Sequence, residues 1–395
     1  MQGDNQPQRF SESGALAVHE QMKAEKTAHH QPAQVSYHNR VEAEQLQPQS
    51  GLPDLSSVAD RLAQQPFIPP AGLRSGHAMT IFTGLWPRRF ATAWPQEARL
   101  FQTEPETQVL ACCHWQSERR RHPTLLLVHG LEGHAARGYM LGTAEKAWRA
   151  GFNVIRQNVR NCGDTEHLTP TLYHSGLTCD LRAIVRELIE VDRLPEIFIG
   201  GFSMGGNQAL KFAGELGAAA PPELRGIVAI SPAIDLAACC DAIARPQCRL
   251  YEERFLRSLK ARVRRKAQLF PGTLDPDRVN RVRSLREFDD VVTGPGWGFG
   301  NADGYYARAS SRPLLRQIRV PTLMITAQDD PFIPYASFTD ATIAANEHLL
   351  LLAPRHGGHV GFMARERGRL QHEDRFWAEC RAVEFCGLLS QLRVV

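Results

Sequence analysis

No apolar run in this chain is longer than a strand. The longest, such as 348–354 with its four leucines, fall far short of the roughly 20 residues that cross a bilayer. No basic start followed by an apolar stretch opens the sequence, so a secretory signal is not expected and the predicted location is the cytoplasm. Charge of one sign is also lacking. Basic and acidic residues number 46 and 42, for a net +4 over 395 residues, and nothing in that balance calls for nucleic acid. The nine cysteines form no CxxC; an odd count with two adjacent pairs, Cys112-Cys113 and Cys239-Cys240, reads as reduced, half-buried thiols, with zinc not expected. What these absences leave is a chain able to bury a full core, as two domains or as one large α/β domain with insertions.

Residues 1–66, rich in Gln and His, have few aromatic residues and no sustained period. Such a segment cannot bury enough apolar surface to offset its ordering entropy, so a disordered leader is expected, with short helical pieces at most near 15–26 and 55–64. The ordered domain is expected over 67–395. A β-hairpin is predicted from 99–103 and 108–116 around Glu104-Pro105-Glu106. From Thr124 onward strand and helix alternate: strands 124–128, 152–158, 197–202 and 226–231, helices 138–150, 179–191 and 204–216. That spacing predicts a mostly parallel central sheet with helices on both faces. The rhythm breaks after Ser231-Pro232 and resumes at a strand over 322–326, followed by a helix near 335–345, a strand over 348–352 and a closing helix from about 374 to 392. The intervening stretch, about 235–316, reads as a helical cap. Its helix 247–269 carries Tyr251, Phe255, Leu259 and Val263 on one face and Arg254, Arg257, Arg262, Arg264, Arg265 and Lys266 elsewhere. The basic face is read as solvated, with an anionic substrate or a membrane surface as the alternative partner.

The stretch Gly200-Gly201-Phe202-Ser203-Met204-Gly205-Gly206 stands between a strand and a helix and contains GxSxG. A turn sharp enough to present Ser203 at a strand tip crowds its flanks, so Gly201 and Gly205 must lack side chains. A serine hydroxyl is a weak nucleophile at neutral pH and needs a base, which in turn needs an orienting carboxylate. The order Ser, Asp, His along the chain places the acid after strand 322–326, where Asp329 and Asp330 compete. Asp330 is favoured, at the fourth place of a GxxD-like turn with Ala327 in the usual glycine's position. The base falls on the loop after the last strand, in Arg355-His356-Gly357-Gly358-His359-Val360-Gly361-Phe362; His359, flanked by glycines, is favoured over His356. Backbone N–H groups of Met204, after the nucleophile, and of Leu131, in the loop after His129-Gly130, are the candidate oxyanion hole. Glu132, His134 and the stretch 158–163 fall at the same sheet edge and are candidate pocket residues, with a loop-holding ion pair the equal alternative for Arg160.

The chain resembles the YheT-like branch of the α/β-hydrolases, bacterial relatives of the ABHD lipases and esterases, over roughly 67–387. The matching segments are FIPPAGLRSGHAMT, HGLEG, NVRNCGDTE with LYHSG, GFSMGGN, SLREFDD with YYARAS, DDPFIP and HGGHVGF. In that family the triad maps onto Ser203, Asp330 and His359. The resemblance implies a serine esterase acting on short-chain carboxylic esters or monoacylglycerols, with no metal or organic cofactor. Thioester hydrolysis, acyl transfer by the same triad, and a non-catalytic scaffold are the other readings. Acyl length and oligomeric state are not encoded in any period of the sequence.

Overall fold

The computed structural model describes residues 55–90, 95–369 and 373–391. The expected leader therefore lies outside the described residues except for its last part, where the structure differs from expectation. Helix α1 (Leu55–Ala63) buries Val58 and Leu62, so the packed fold starts before Phe67. The two apolar residues are four apart, one face of a helix, and that single stripe is enough to dock it.

The segment between Phe67 and the hairpin forms helix α2 (Gly76–Leu85). Strands β1 (Glu97–Glu104) and β2 (Thr107–His114) form the antiparallel hairpin. After it come β3 (Thr124–Val128), α3 (Gly138–Arg149), β4 (Asn153–Gln157), α4 (Cys179–Glu190), β5 (Ile197–Phe202), α5 (Met204–Leu216) and β6 (Leu224–Ile230). The helical insertion includes α6 (Leu236–Ile243), α7 (Arg249–Leu269) and α8 (Ala302–Ala309); β7 (Thr322–Ile325), β8 (Leu349–Leu352) and α9 (Trp377–Leu389) complete the chain. The eight strands order β1-β2-β4-β3-β5-β6-β7-β8 in one sheet. Only the pairs β1–β2 and β2–β4 are antiparallel; β4, β3, β5, β6, β7 and β8 run parallel.

Every residue of β3, β4, β5 and β6 is buried, as expected for parallel strands covered on both faces. One apolar layer packs α4 and α5 against the sheet through residues such as Ile184, Leu188, Leu210 and Phe212. The other packs α1, α3 and α9 through Leu62, Met140, Ala144 and Phe385. The helix expected near 335–345 is instead a 3₁₀ turn (Tyr335–Phe338) and a short helix (Ala341–Ala344). Thr339 and Asp340 interrupt it, side chains that compete for backbone hydrogen bonds. All nine cysteines are unpaired thiols. Among the described residues no helix is long and apolar enough to cross a membrane.

Candidate active site

The turn between β5 and α5 is as tight as its glycines imply. A Cβ at Gly201 would lie 2.2 Å from the Gly205 carbonyl oxygen, and one at Gly205 would lie 2.4 Å from that of Val128. Both approaches are to backbone, so neither neighbour can give way. Ser203 itself holds φ 53° and ψ −116°, a conformation costly for a residue with a side chain and found where a site demands it. Its N–H donates to the Ile230 carbonyl at 2.8 Å, registering the turn on the end of β6.

The two acids and two histidines sort into two pairs. Asp330 Oδ2 lies 2.9 Å from His359 Nδ1, and the Asp330 side chain is wholly buried. Its other oxygen accepts the N–H groups of Phe332 (2.9 Å) and Ile333 (3.1 Å), which fixes the carboxylate independently of the histidine. Asp329 instead holds His356 Nδ1 at 3.2 Å and the Gly358 N–H at 3.0 Å, bracing the loop on which His359 sits. That loop is bent through positive φ at Gly358, Val360 and Phe362. It is pinned by the His359 N–H donating to Thr80 Oγ1 (2.8 Å) and the Val360 N–H donating to Ser231 Oγ (3.1 Å). Thr80, on α2, was not singled out from the sequence; its signal was the GHAMT segment, whose role no period could reveal. The Phe332 ring packs edge-on to His359, with centroids 4.7 Å apart.

Ser203 and His359 line one cavity of about 460 Å³, together with Leu131, Met204, Phe255, Leu259 and Phe332. His356 and Asp329 do not line it. Among the described residues neither the Leu131 nor the Met204 N–H has a hydrogen-bond partner, as a donor pair reserved for a bound oxygen requires. The Leu131 loop is held by His129, which is fully buried. Its Nε2 accepts the Val159 N–H at 3.0 Å, so Nδ1 carries the proton and donates to the Gly130 carbonyl at 2.8 Å. Burial lowers the pKa of His129 to about 3, keeping that tautomer neutral.

Glu132, His134 and Arg160 do not line the cavity, contrary to the pocket role considered for them. Arg160 forks onto Asp180 (2.8 and 2.6 Å) and reaches Glu104 (2.7 Å), the loop-holding alternative. Glu132 receives a fork from Arg262 of α7 (2.9 and 3.1 Å), the Tyr173 hydroxyl (2.6 Å) and the Ser258 hydroxyl. Burial opposes its charge, yet these donors hold its pKa below the ordinary carboxylate value. The basic face of α7 is thus only partly solvated. Arg265 pairs with Glu166, and buried Lys266 donates to the Glu166 and Thr169 carbonyls. Arg262 and Lys266 follow Leu259 by three and seven, which puts them beside its helical face rather than opposite it, but that spacing alone names no partner for them.

The segments SLREFDD and YYARAS meet at the same cavity. The Tyr306 hydroxyl donates to Asp289 at 2.8 Å and Thr293 Oγ1 donates at 2.7 Å; burial still raises the pKa of Asp289 to about 6. Among the described residues no three His, Cys, Asp or Glu side chains gather as a metal site.

A parallel sheet, a serine at a strand-to-helix elbow and an acid–histidine pair on the two later loops define the α/β-hydrolase class. The family described as alpha/beta hydrolase fold matches residues 123–366. The chain is similar to the YheT protein of Escherichia coli (strain K12), 32% identical over 80% of this chain and 91% of that one. It is also similar to mouse phospholipase ABHD3, 30% identical over 61% of this chain and 58% of that one. A third relative is the monoacylglycerol lipase of Saccharomyces cerevisiae (strain ATCC 204508 / S288c), 28% identical over 76% of this chain and 64% of that one. The chain thus spans somewhat under two thirds of the mouse and yeast proteins. It belongs to the α/β-hydrolase family, in the YheT-like branch with its ABHD relatives.

Proposed function

We propose that this protein hydrolyses carboxylic esters through an acyl-enzyme on Ser203. His359 takes the Ser203 proton as Oγ attacks the ester carbonyl, and Asp330 holds the imidazole tautomer and balances the imidazolium. The developing oxyanion sits against the N–H groups of Leu131 and Met204. The alcohol leaves with the proton from His359, and water, deprotonated by the same base, then cleaves the acyl-enzyme. The carrying observation is the buried Asp330 carboxylate, 2.9 Å from the ring of a histidine that shares one cavity with Ser203. The insertion of about 235–316 would act as the cap that walls this cavity. Its apolar lining suits an aliphatic acyl group, and the names of the mouse and yeast relatives, a phospholipase and a monoacylglycerol lipase, agree with an acylglycerol or simple ester as substrate. Nine unpaired thiols suit a reducing compartment, the cytoplasm.

In purified protein, Ser203→Ala is expected to abolish both p-nitrophenyl ester hydrolysis and labelling by a fluorophosphonate. Turnover or labelling that survives the substitution rejects Ser203 as nucleophile. A chain-length series of esters then reads acyl preference.

A further inference from the structure

Large apolar side chains are exposed at few places among the described residues, and most of those places are contiguous in sequence. Ile68, Ile81, Phe82, Leu85 and Trp86 all stand out from the segment around α2, at 57%, 50%, 38%, 76% and 42% exposure. A monomeric soluble protein seldom gathers that much apolar surface without using it.

The mounting of α2 makes the display rigid. Its inner face is held at one end by Gly76, whose Cα hydrogens face the Asp329 backbone so closely that a Cβ would lie 1.8 Å from that carbonyl oxygen. Met79 is wholly buried and Thr80 accepts from His359. Beyond the other end, Arg88 forks onto Glu379 (2.6 and 2.8 Å) and lies over the Phe376 ring at 3.6 Å. Phe82 and Trp86 pack against each other with ring centroids 4.9 Å apart. His77, Ile81 and Leu85 fall at i, i+4 and i+8, one stripe of the helix.

That stripe continues onto the insertion. The His77 ring stacks on Tyr251 of α7, with centroids 5.8 Å apart. Tyr251 in turn packs on Phe332, a wall of the Ser203 cavity. Next to Tyr251 stands Leu250, 80% exposed. Arg254 and Arg257 follow it at i+4 and i+7, exposed on the same face and, unlike Arg262 and Arg265, in no ion pair with a described residue. Arg74 and Arg89 flank α2 and are exposed as well. An apolar stripe rimmed by arginines matches the anionic headgroups and acyl boundary of a phospholipid surface. It does not match a second copy of itself, since four arginines would face four.

We infer that Ile81, Phe82, Leu85, Trp86 and Leu250, with Arg74, Arg89, Arg254 and Arg257 around them, dock this protein peripherally on anionic phospholipid membranes. The docked face lies beside the wall of the catalytic cavity, so an amphiphilic ester partitioned in that membrane would have a short path to Ser203. That last step rests on the proposed function; the docking does not.

The test is sedimentation of the full-length protein with vesicles of phosphatidylcholine, with and without phosphatidylglycerol. Binding is expected to the anionic vesicles, to weaken with salt, and to fall about tenfold or more in a Leu85→Asp/Trp86→Asp variant. Ser203→Ala should bind like the wild type, so failed catalysis and failed docking are separable. Leu85 and Trp86 are both exposed, and unchanged thermal unfolding and unchanged hydrolysis of a water-soluble ester would show that the variant is folded. Wild-type protein that stays in the supernatant overturns the proposal, as does binding that the double variant retains. A wild-type dimer made monomeric by the same substitutions, without vesicle binding, assigns the face to a second copy and also overturns it.

Discussion

Two carboxylates one residue apart do different work, and the difference is directional. Asp330 spends one oxygen on two backbone N–H groups and the other on His359; Asp329 grips the loop that carries His359. Asp330→Asn, which presents the wrong hydrogen-bonding partner to Nδ1, is expected to lower kcat by about four orders of magnitude. Asp329→Asn should cost much less, about tenfold, because it loosens the base without changing its tautomer. Steady-state kinetics on one soluble ester separates the two. The placement of Ser203, Asp330 and His359, the proposed serine, acid and base, was legible because each follows a strand end in the order the fold uses. Thr80 and Ser231 were not, since a hydroxyl that accepts one N–H from a distant loop leaves no local pattern.

At the scale of elements, α7 is fastened to the turn after β3 by Arg262 and Glu132. Glu132 has a left-handed backbone (φ 54°) and directly follows Leu131, so the fork from Arg262 reaches the peptide next to a proposed oxyanion donor. Arg262→Met leaves the Glu132 carboxylate buried without its charge partner. The expected loss is about 3 kcal/mol of unfolding stability, read by denaturant titration, together with a fall in kcat larger than any change in KM. Arg262→Lys should recover part of the stability and little of the rate, because an ammonium cannot make the two-point fork. The existence of the helical insertion was plain from the broken strand–helix rhythm. The burial of Arg262 and Lys266 was not, because a charge on an apolar face is buried only if its partner arrives from elsewhere, here from loops between 96 and 130 residues earlier. The β-hairpin and the parallel strands were legible because their apolar runs are short and bounded. The α2 segment carried no clean period, since one of its faces is packed against the loop that carries His359 and the other is apolar though exposed.

The molecule as a whole keeps three histidines neutral by burial. His114 is lowered to about 4, and His129 and His174 to about 3, from an ordinary value of 6.5. Between those values the unfolded chain binds protons that the native fold refuses. Their contribution is therefore complete above about pH 6.5 and is lost as pH falls toward 4, by on the order of 1 kcal/mol per histidine per pH unit. Asp289, raised to about 6, acts in the opposite sense over part of that range, so the net slope should correspond to about two groups. Chemical denaturation at pH 7 and pH 5 checks this, and His174→Gln should flatten the slope. A stability unchanged between the two would reject the neutral assignment.

Strands β6 and β7 are side-by-side parallel neighbours, yet the whole helical insertion hangs between them. Ile230, at the carboxyl end of β6, lies opposite Ile325, while β7 begins at Thr322, opposite Ile227, so the chain leaves at the site's edge of the sheet and re-enters further back along the neighbouring strand, whatever the length between. The strands fix where both stems stand, so a roof of another length can be hung from them provided it keeps the fork from Arg262 to Glu132, which would let selectivity evolve through one exchangeable stretch of chain.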